Sequence, residues 1–485
     1  MWRDANDANG AMGEVAAEVS DTTQSTMGHS RPLLRRSGDL GRSDRPRVAV
    51  WGHYYGPNLG DELVTSTVIQ AIQSRRPDAQ VCAISLNPAD TLHRHGVPSY
   101  PLNRSSVPST RGKGWRRYPA ALLRRIRSAA REIPHVWASY RLMQSVDLLV
   151  VAGSGQLLDQ WSGPWGHPYA IFKWSLLARL TGTRVAILSA GAGPLRGRLA
   201  RYLIRSAVEH ADYVSLRDEG SIDVLRAAGI TRELPVCPDM GFGLPVGRSA
   251  TASSGIDDAP ADGPGGEPPG ARVVVGLNAM AHAHPGYWGR GDLSRYEAYR
   301  DKLTTVIRGL VENGVTVRLF SSHAVADAVI ADDLVSAAWA SDPALAGRLD
   351  RRRLTEVGDL VEFIRECDVV IGARYHSVVL PMLMGVPTIG VAYHPKTVGV
   401  MQMAGQSAYC FPDIDTFEAD ELLERTRALI AHRADVRTSL SANIPELCEA
   451  VERQFDEVFS IASEERGTSA PPRRAPQTER GRHVA

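Results

Sequence analysis

The groups best placed to do chemistry lie in the second half of the chain, in Cys367-Asp368-Val369-Val370-Ile371-Gly372-Ala373-Arg374-Tyr375-His376-Ser377. A short β-branched run ends there in an arginine and in a histidine that opens a helix. The next such run, Thr388 to Ala392, ends in Tyr393-His394-Pro395-Lys396. In a parallel sheet both runs end on the same edge, so Arg374, His376 and Lys396 converge on one cleft wall. A guanidinium, an ammonium and a titratable imidazole together suit a small dianion, with His376 as acid or base beside it.

Loops after other apolar runs add to this set. Val48 to Trp51 leads into Asn58-Leu59-Gly60-Asp61-Glu62, where Asn58 and Gly60 read as an anion cradle at a helix N-terminus. No Gly-Lys-Ser/Thr follows, so this is not a P-loop. Asp61 and Glu62 are candidate bases toward a hydroxyl, and they equally complement the helix dipole. The turns Gly153-Ser154-Gly155 and Gly191-Ala192-Gly193 fall short of G-x-G-x-x-G and read as tight strand-to-helix turns. Tyr213 to Leu216 delivers Arg217, which either grips a carboxylate or phosphate or pairs with Asp218. Trp161, Tyr287 and Trp288 offer aromatic faces for a sugar ring. His282 and His284 lack acids or cysteines at ligand spacing, so no metal site is expected.

The elements that must carry these loops are short β-branched runs alternating with helix-length amphipathic stretches, as in parallel sheets buried on both faces. Strands are expected at Val48 to Trp51, Leu148 to Ala152, Val185 to Ser189, Tyr213 to Leu216, Val273 to Leu277, Val315 to Phe320, Val369 to Ile371 and Thr388 to Ala392. Ser249 to Gly270, rich in Ser, Asp, Ala, Pro and Gly, divides them. The expected organisation is a disordered tail (1–46), a Rossmann-like domain (47–248), a flexible linker (249–270), a second Rossmann-like domain carrying the donor site (271–415), helices packing back across both domains (416–466) and a second disordered tail (467–485). The fold class is α/β, with two doubly wound domains facing a cleft.

Composition limits the partners. Fifty-five Lys and Arg against 54 Asp and Glu leave a formal charge of +1, with no overall field for nucleic acid. Five scattered cysteines without a C-x-x-C pair argue against a disulfide framework, and no apolar run reads as a signal or a span. The expectation is a cytoplasmic protein without a transmembrane segment. The basic stretch Arg111 to Arg131, around Trp115, Leu122 and Ile126, reads either as a solvated helix or as a peripheral contact with anionic lipid at the inner membrane face.

Taken together, the Asn58-to-Glu62 loop, the Gly153-to-Asp159 turn, Ser215-Leu216-Arg217-Asp218, Pro238-Asp239, Arg374-Tyr375-His376, Gly385-Val386-Pro387 and Tyr393-His394-Pro395-Lys396 resemble the polysaccharide pyruvyl transferase family. The resemblance implies a fold similar to GT-B glycosyltransferases and a transferase moving a pyruvyl group from phosphoenolpyruvate onto hydroxyls of a sugar. The product is a ketal on a cell-surface polysaccharide or glycolipid precursor, and no cofactor is implied. The family's donor-binding arginine and catalytic histidine carry over to Arg374 and His376, and its Ser-x-Arg-Asp arginine to Arg217. Ser154, Gln156 and Tyr375 depart from the family's usual residues. Two competing readings are a nucleotide-sugar glycosyltransferase of the same architecture and a non-catalytic sugar-binding protein.

Overall fold

The computed structural model describes residues 45–52, 58–103, 132–160, 163–246, 272–287, 291–323 and 325–463. The expected tails, apart from residues 45 and 46, lie outside these, as do the linker 249–270, the stretch Arg111 to Arg131, Trp161 and Trp288.

The first lobe holds six parallel strands: β1 (Arg47–Trp51), β2 (Gln80–Ser85), β3 (Ser99–Pro101), β4 (Leu148–Val151), β5 (Arg184–Ala190) and β6 (Tyr213–Leu216), in the order β3-β2-β1-β4-β5-β6. The second holds β7 (Val274–Asn278), β8 (Thr316–Phe320), β9 (Leu349–Arg352), β10 (Val369–Gly372), β11 (Thr388–Val391) and β12 (Cys410–Phe411), in the order β12-β11-β10-β7-β8-β9. Counted within each lobe, both follow the 3-2-1-4-5-6 order of doubly wound sheets, whose ligands sit where the order reverses. Those points lie between β1 and β4 and between β7 and β10. The central strands are buried along their length, which is why they read as unbroken apolar runs.

Helices cover both faces. In the first lobe these include α1 (Leu59–Arg75), α2 (Pro88–His95), α3 (His167–Thr181), α4 (Arg198–His210) and α5 (Glu219–Ala227). The second has α6 (Leu293–Glu312), α7 (Ala326–Ser341), α8 (Val357–Arg365), α9 (His376–Leu383) and α10 (Pro395–Met403), and the chain closes with α11 (Ala419–Ala431) and α12 (Arg433–Ser463).

Two of the contacts that set the lobes against each other are made by α1 and by the last helix. Leu59 and Leu63 of α1 join a buried cluster with Phe320, Leu360, Phe363 and Leu380 of the second lobe, and the Leu59 N–H donates to the Ser322 carbonyl at 2.9 Å. The second contact is α12, a 31-residue helix that runs back over the first lobe. There the Gln454 side chain bonds Ser189 and Ser215, while Arg75 of α1 pairs with Asp456 at 2.7 Å and with Glu452. Apolar burial and buried hydrogen bonds hold α1 where its first turn faces α9.

Candidate active site

The second lobe delivers His376 as the first residue of α9, just past the end of β10. Its Nε2 lies 3.3 Å from Oδ1 of Asp239, a fully buried carboxylate of the first lobe. Asp239 caps a short 3₁₀ turn by accepting the Gly241 N–H at 2.9 Å, and Nη1 of Arg217 lies 3.8 Å from its other oxygen. Burial opposes ionisation of Asp239, but His376, Arg217 and the Gly241 N–H outweigh it and hold its pKa below the ordinary carboxylate value. The imidazole is therefore clamped across the two lobes by a carboxylate that stays charged.

Gly60 completes the clamp. A Cβ there would stand 2.9 Å from Cγ of His376 and closer still to Nδ1, so only glycine lets the first turn of α1 lie against the ring. Asn58 caps α1, accepting the Gly60 N–H at 3.1 Å and donating to Asp61 Oδ2 at 2.8 Å. These bonds fix the turn and the Asp61 carboxylate. Glu62, the alternative candidate base, turns its buried carboxylate to His95 at the end of α2, 2.7 Å away, within its own lobe.

Arg217 and Lys396 approach from opposite lobes. Each lies 5.3 Å from the centroid of the Tyr375 ring, which also meets the His376 ring edge-on at 5.1 Å. Arg217 is buried, and a Cβ on Gly191 would come within 2.7 Å of its guanidinium carbon. The Gly191 turn thus makes a berth for an arginine. Burial disfavours the Arg217 charge, yet Tyr375, Asp239, Asp218 and Tyr393 more than restore it, and its pKa is raised. Lys396 also stands over the Tyr393 ring at 5.2 Å. Burial pushes the Tyr393 phenol up, but Lys396, Arg374 and Arg217 together bring it below the ordinary tyrosine value. His394 caps α10 by accepting the Lys396 N–H at 3.3 Å; burial, Lys396 and Arg217 hold it neutral, with a pKa lowered to about 3.

Arg374, expected to bind the donor, is paired with a carboxylate of its own lobe. Its backbone N–H donates to Asn278 at the β7–β10 switch point, and its Nε and Nη2 both donate to Asp327 Oδ1, at 3.1 and 2.6 Å. Asp327 is fully buried on the first turn of α7. The Arg374 charge is matched within the lobe, where it ties β10 to α7. Tyr287 packs on His284 at 5.1 Å, and His282 is paired with Asp415 at 2.7 Å. Sequence reasoning missed Asp327 entirely, and assigned no role to Asp239 or Tyr393 although both stand in the quoted motifs.

Two doubly wound lobes with charged loops meeting at a cleft define a two-domain α/β enzyme of GT-B-like architecture. Residues 58–395, more than half of the chain, match the sequence model of the polysaccharide pyruvyl transferases, and the chain belongs to that family, with a transferase activity of that type. It is 22% identical over 386 residues to the amylovoran biosynthesis protein AmsJ of Erwinia amylovora, covering 74% of this chain and 86% of AmsJ. The fold is shared with a putative UDP-N-acetylglucosamine 2-epimerase from Listeria monocytogenes, at a TM-score of 0.54 and 11% identity over 86% of this chain and 96% of that one. It is also shared with Anabaena HepE, solved with UDP and glucose, at a TM-score of 0.50 and 12% identity over 85% and 99%. Among the described residues no helix is long and apolar enough to cross a membrane.

Proposed function

We propose that this chain transfers the pyruvyl group of phosphoenolpyruvate onto two hydroxyls of a sugar in a cell-surface polysaccharide or glycolipid precursor, as a cyclic ketal, on the cytoplasmic side of the membrane. One observation carries the reading. Arg217 and Lys396, from different lobes, meet at Tyr375 beside an imidazole held by a buried, ionised Asp239. Two fixed cations match the carboxylate and phosphate of the donor. The relative named for amylovoran biosynthesis supports a glycan acceptor.

In this mechanism His376 protonates C3 of the enol while a sugar hydroxyl, deprotonated by Asp61, forms a C–O bond to C2. The C2–O bond to phosphate then breaks, phosphate taking the electron pair, and a second hydroxyl adds at C2. Of the two hydroxyl protons, one replaces the proton that His376 gave and the other leaves with phosphate. Asn58 and Gly60 act by positioning, Asn58 on Asp61 and Gly60 on His376. Arg374 positions the β10 loop through Asp327. Trp161, Tyr287 and Trp288 are the proposed acceptor contacts.

The test is inorganic phosphate released from phosphoenolpyruvate with and without a glycan acceptor. Release should depend on the acceptor and fall by about 10²- to 10⁴-fold in His376→Ala, the usual weight of a positioned proton donor. Near-wild-type turnover in His376→Ala, or consumption of a nucleotide sugar in place of phosphoenolpyruvate, overturns the reading.

A further inference from the structure

The first lobe carries an apolar surface that nothing in the described residues covers. Its frame is three adjacent helices: residues 132–143, α3 and α4. Glu132 of the first accepts from Lys173 and Tyr169 of α3, both at 3.3 Å, and Phe172 of α3 meets Tyr202 of α4 with ring centroids 6.5 Å apart. The inner side of α3 is buried through Ile171, Trp174 and Leu177. Its outer side should then be polar. Instead Leu176 and Leu180 stand out from it, with Trp165 in the turn just before it, Leu199 and Tyr202 on α4 and Trp137 on the neighbouring helix. Both tryptophans are more than half exposed, at 68% and 60%. Exposed apolar groups gathered on neighbouring helices mark an interaction site.

The charges around it select the partner. Arg179, Arg198, Arg201 and Arg205 are exposed among these apolar groups, and the Arg141 guanidinium lies 6.0 Å from the Trp137 ring centroid. α3 contains no Asp or Glu, and α4 only Glu209, which is paired with Arg205 at 2.7 Å. Two copies of such a surface would repel each other, whereas an anionic bilayer takes aromatic rings at its headgroup level and arginines on its phosphates. The placement is informative as well. Helices α3 and α4 follow β4 and β5, so Trp165 and Leu199 begin at the carboxyl edge of the sheet, the edge that also carries Gly191 and Arg217.

We propose that this face docks the protein on an anionic membrane with the cleft rim turned toward a lipid-linked acceptor. The acceptor part rests on the function proposed above; the docking does not. The experiment is cosedimentation of the full chain with vesicles of phosphatidylcholine alone and with roughly 30% phosphatidylglycerol added. The wild type should pellet with the anionic vesicles only. Each arginine near such a surface contributes about five-fold in partitioning, so Arg198→Glu/Arg201→Glu should weaken binding by at least roughly 25-fold. Trp165→Ser/Leu180→Ser should weaken it too. Both variants should keep the wild-type melting temperature and acceptor-dependent phosphate release with a lipid-free glycan. Wild-type binding by both variants overturns the proposal, as does a wild-type dimer in sedimentation velocity that the variants convert to monomer. Vesicle binding without phosphate release would leave the docking standing and remove the catalytic reading alone.

Discussion

Replacing Gly60 by alanine adds one methyl group to the first turn of α1, and the structure says where that methyl goes. It would lie 2.9 Å from Cγ of His376 and nearer to Nδ1, well inside the ordinary separation of carbon atoms. Relief requires the ring or the helix to move by roughly 1 Å. The helix resists, because Leu59 and Leu63 are packed against the second lobe and the Leu59 N–H is bonded to Ser322. The imidazole therefore moves, and its 3.3 Å approach to Asp239 is lost. A misplacement of about 1 Å at a reacting group costs on the order of 100-fold, so Gly60→Ala should lower kcat for acceptor-dependent phosphate release about 100-fold. The effect on folding runs the other way, since alanine is the better helix former by up to about 1 kcal/mol. Activity should fall while the melting temperature stays within a few degrees. Turnover within a few-fold of wild type would refute the claim that α1 and Asp239 together hold His376.

Arg374→Ala strips the partner from Asp327, a carboxylate with no solvent exposure, and breaking a buried pair costs about 3–5 kcal/mol, so chemical denaturation should show a loss of that order. A change confined to the donor KM would instead make Arg374 a ligand contact. Stability should also fall on mild acidification. Burial and Arg374 lower the His323 pKa to about 4 against the pull of Asp327, and the unfolded imidazole titrates near 6.5. The unfolded chain thus takes up the proton first. The contribution is complete above pH 6.5 and declines toward pH 4, by up to about 1.4 kcal/mol per unit. The lowered pKa of Asp239 adds a further loss only below its ordinary value of 3.8. His394, lowered to about 3, acts in the same sense, and a melting temperature that stays flat between about pH 7 and 5 would contradict both neutral histidines.

The alternation of short apolar runs with amphipathic stretches was enough to read two doubly wound sheets, because strand and helix periodicities are local properties of the chain. All eight expected strands are present within a residue or two of their bounds. Strands β2, β3, β9 and β12 escaped notice: β2 opens on Gln80, β3 is three residues long, β9 carries three charged residues and β12 is two residues long. Helix α7, rich in alanine and aspartate, gave little amphipathic signal.

The site divides along the same line. That His376 and Lys396 leave the same sheet edge follows from their position after consecutive apolar runs, and the sequence alone determined it. Which charges remain available to a ligand was decided only in three dimensions. Arg374 meets Asp327 across 47 positions, His376 meets Asp239 across 137, and Glu62 turns to His95 although Asp61 beside it does not. Gly60 and Gly191 look like any loop glycines until the side chains they admit, His376 and Arg217, arrive from elsewhere in the chain. Spacing specifies direction along an element, whereas electrostatic neutralisation depends on distances through space, and those exist only once the two lobes have closed on each other.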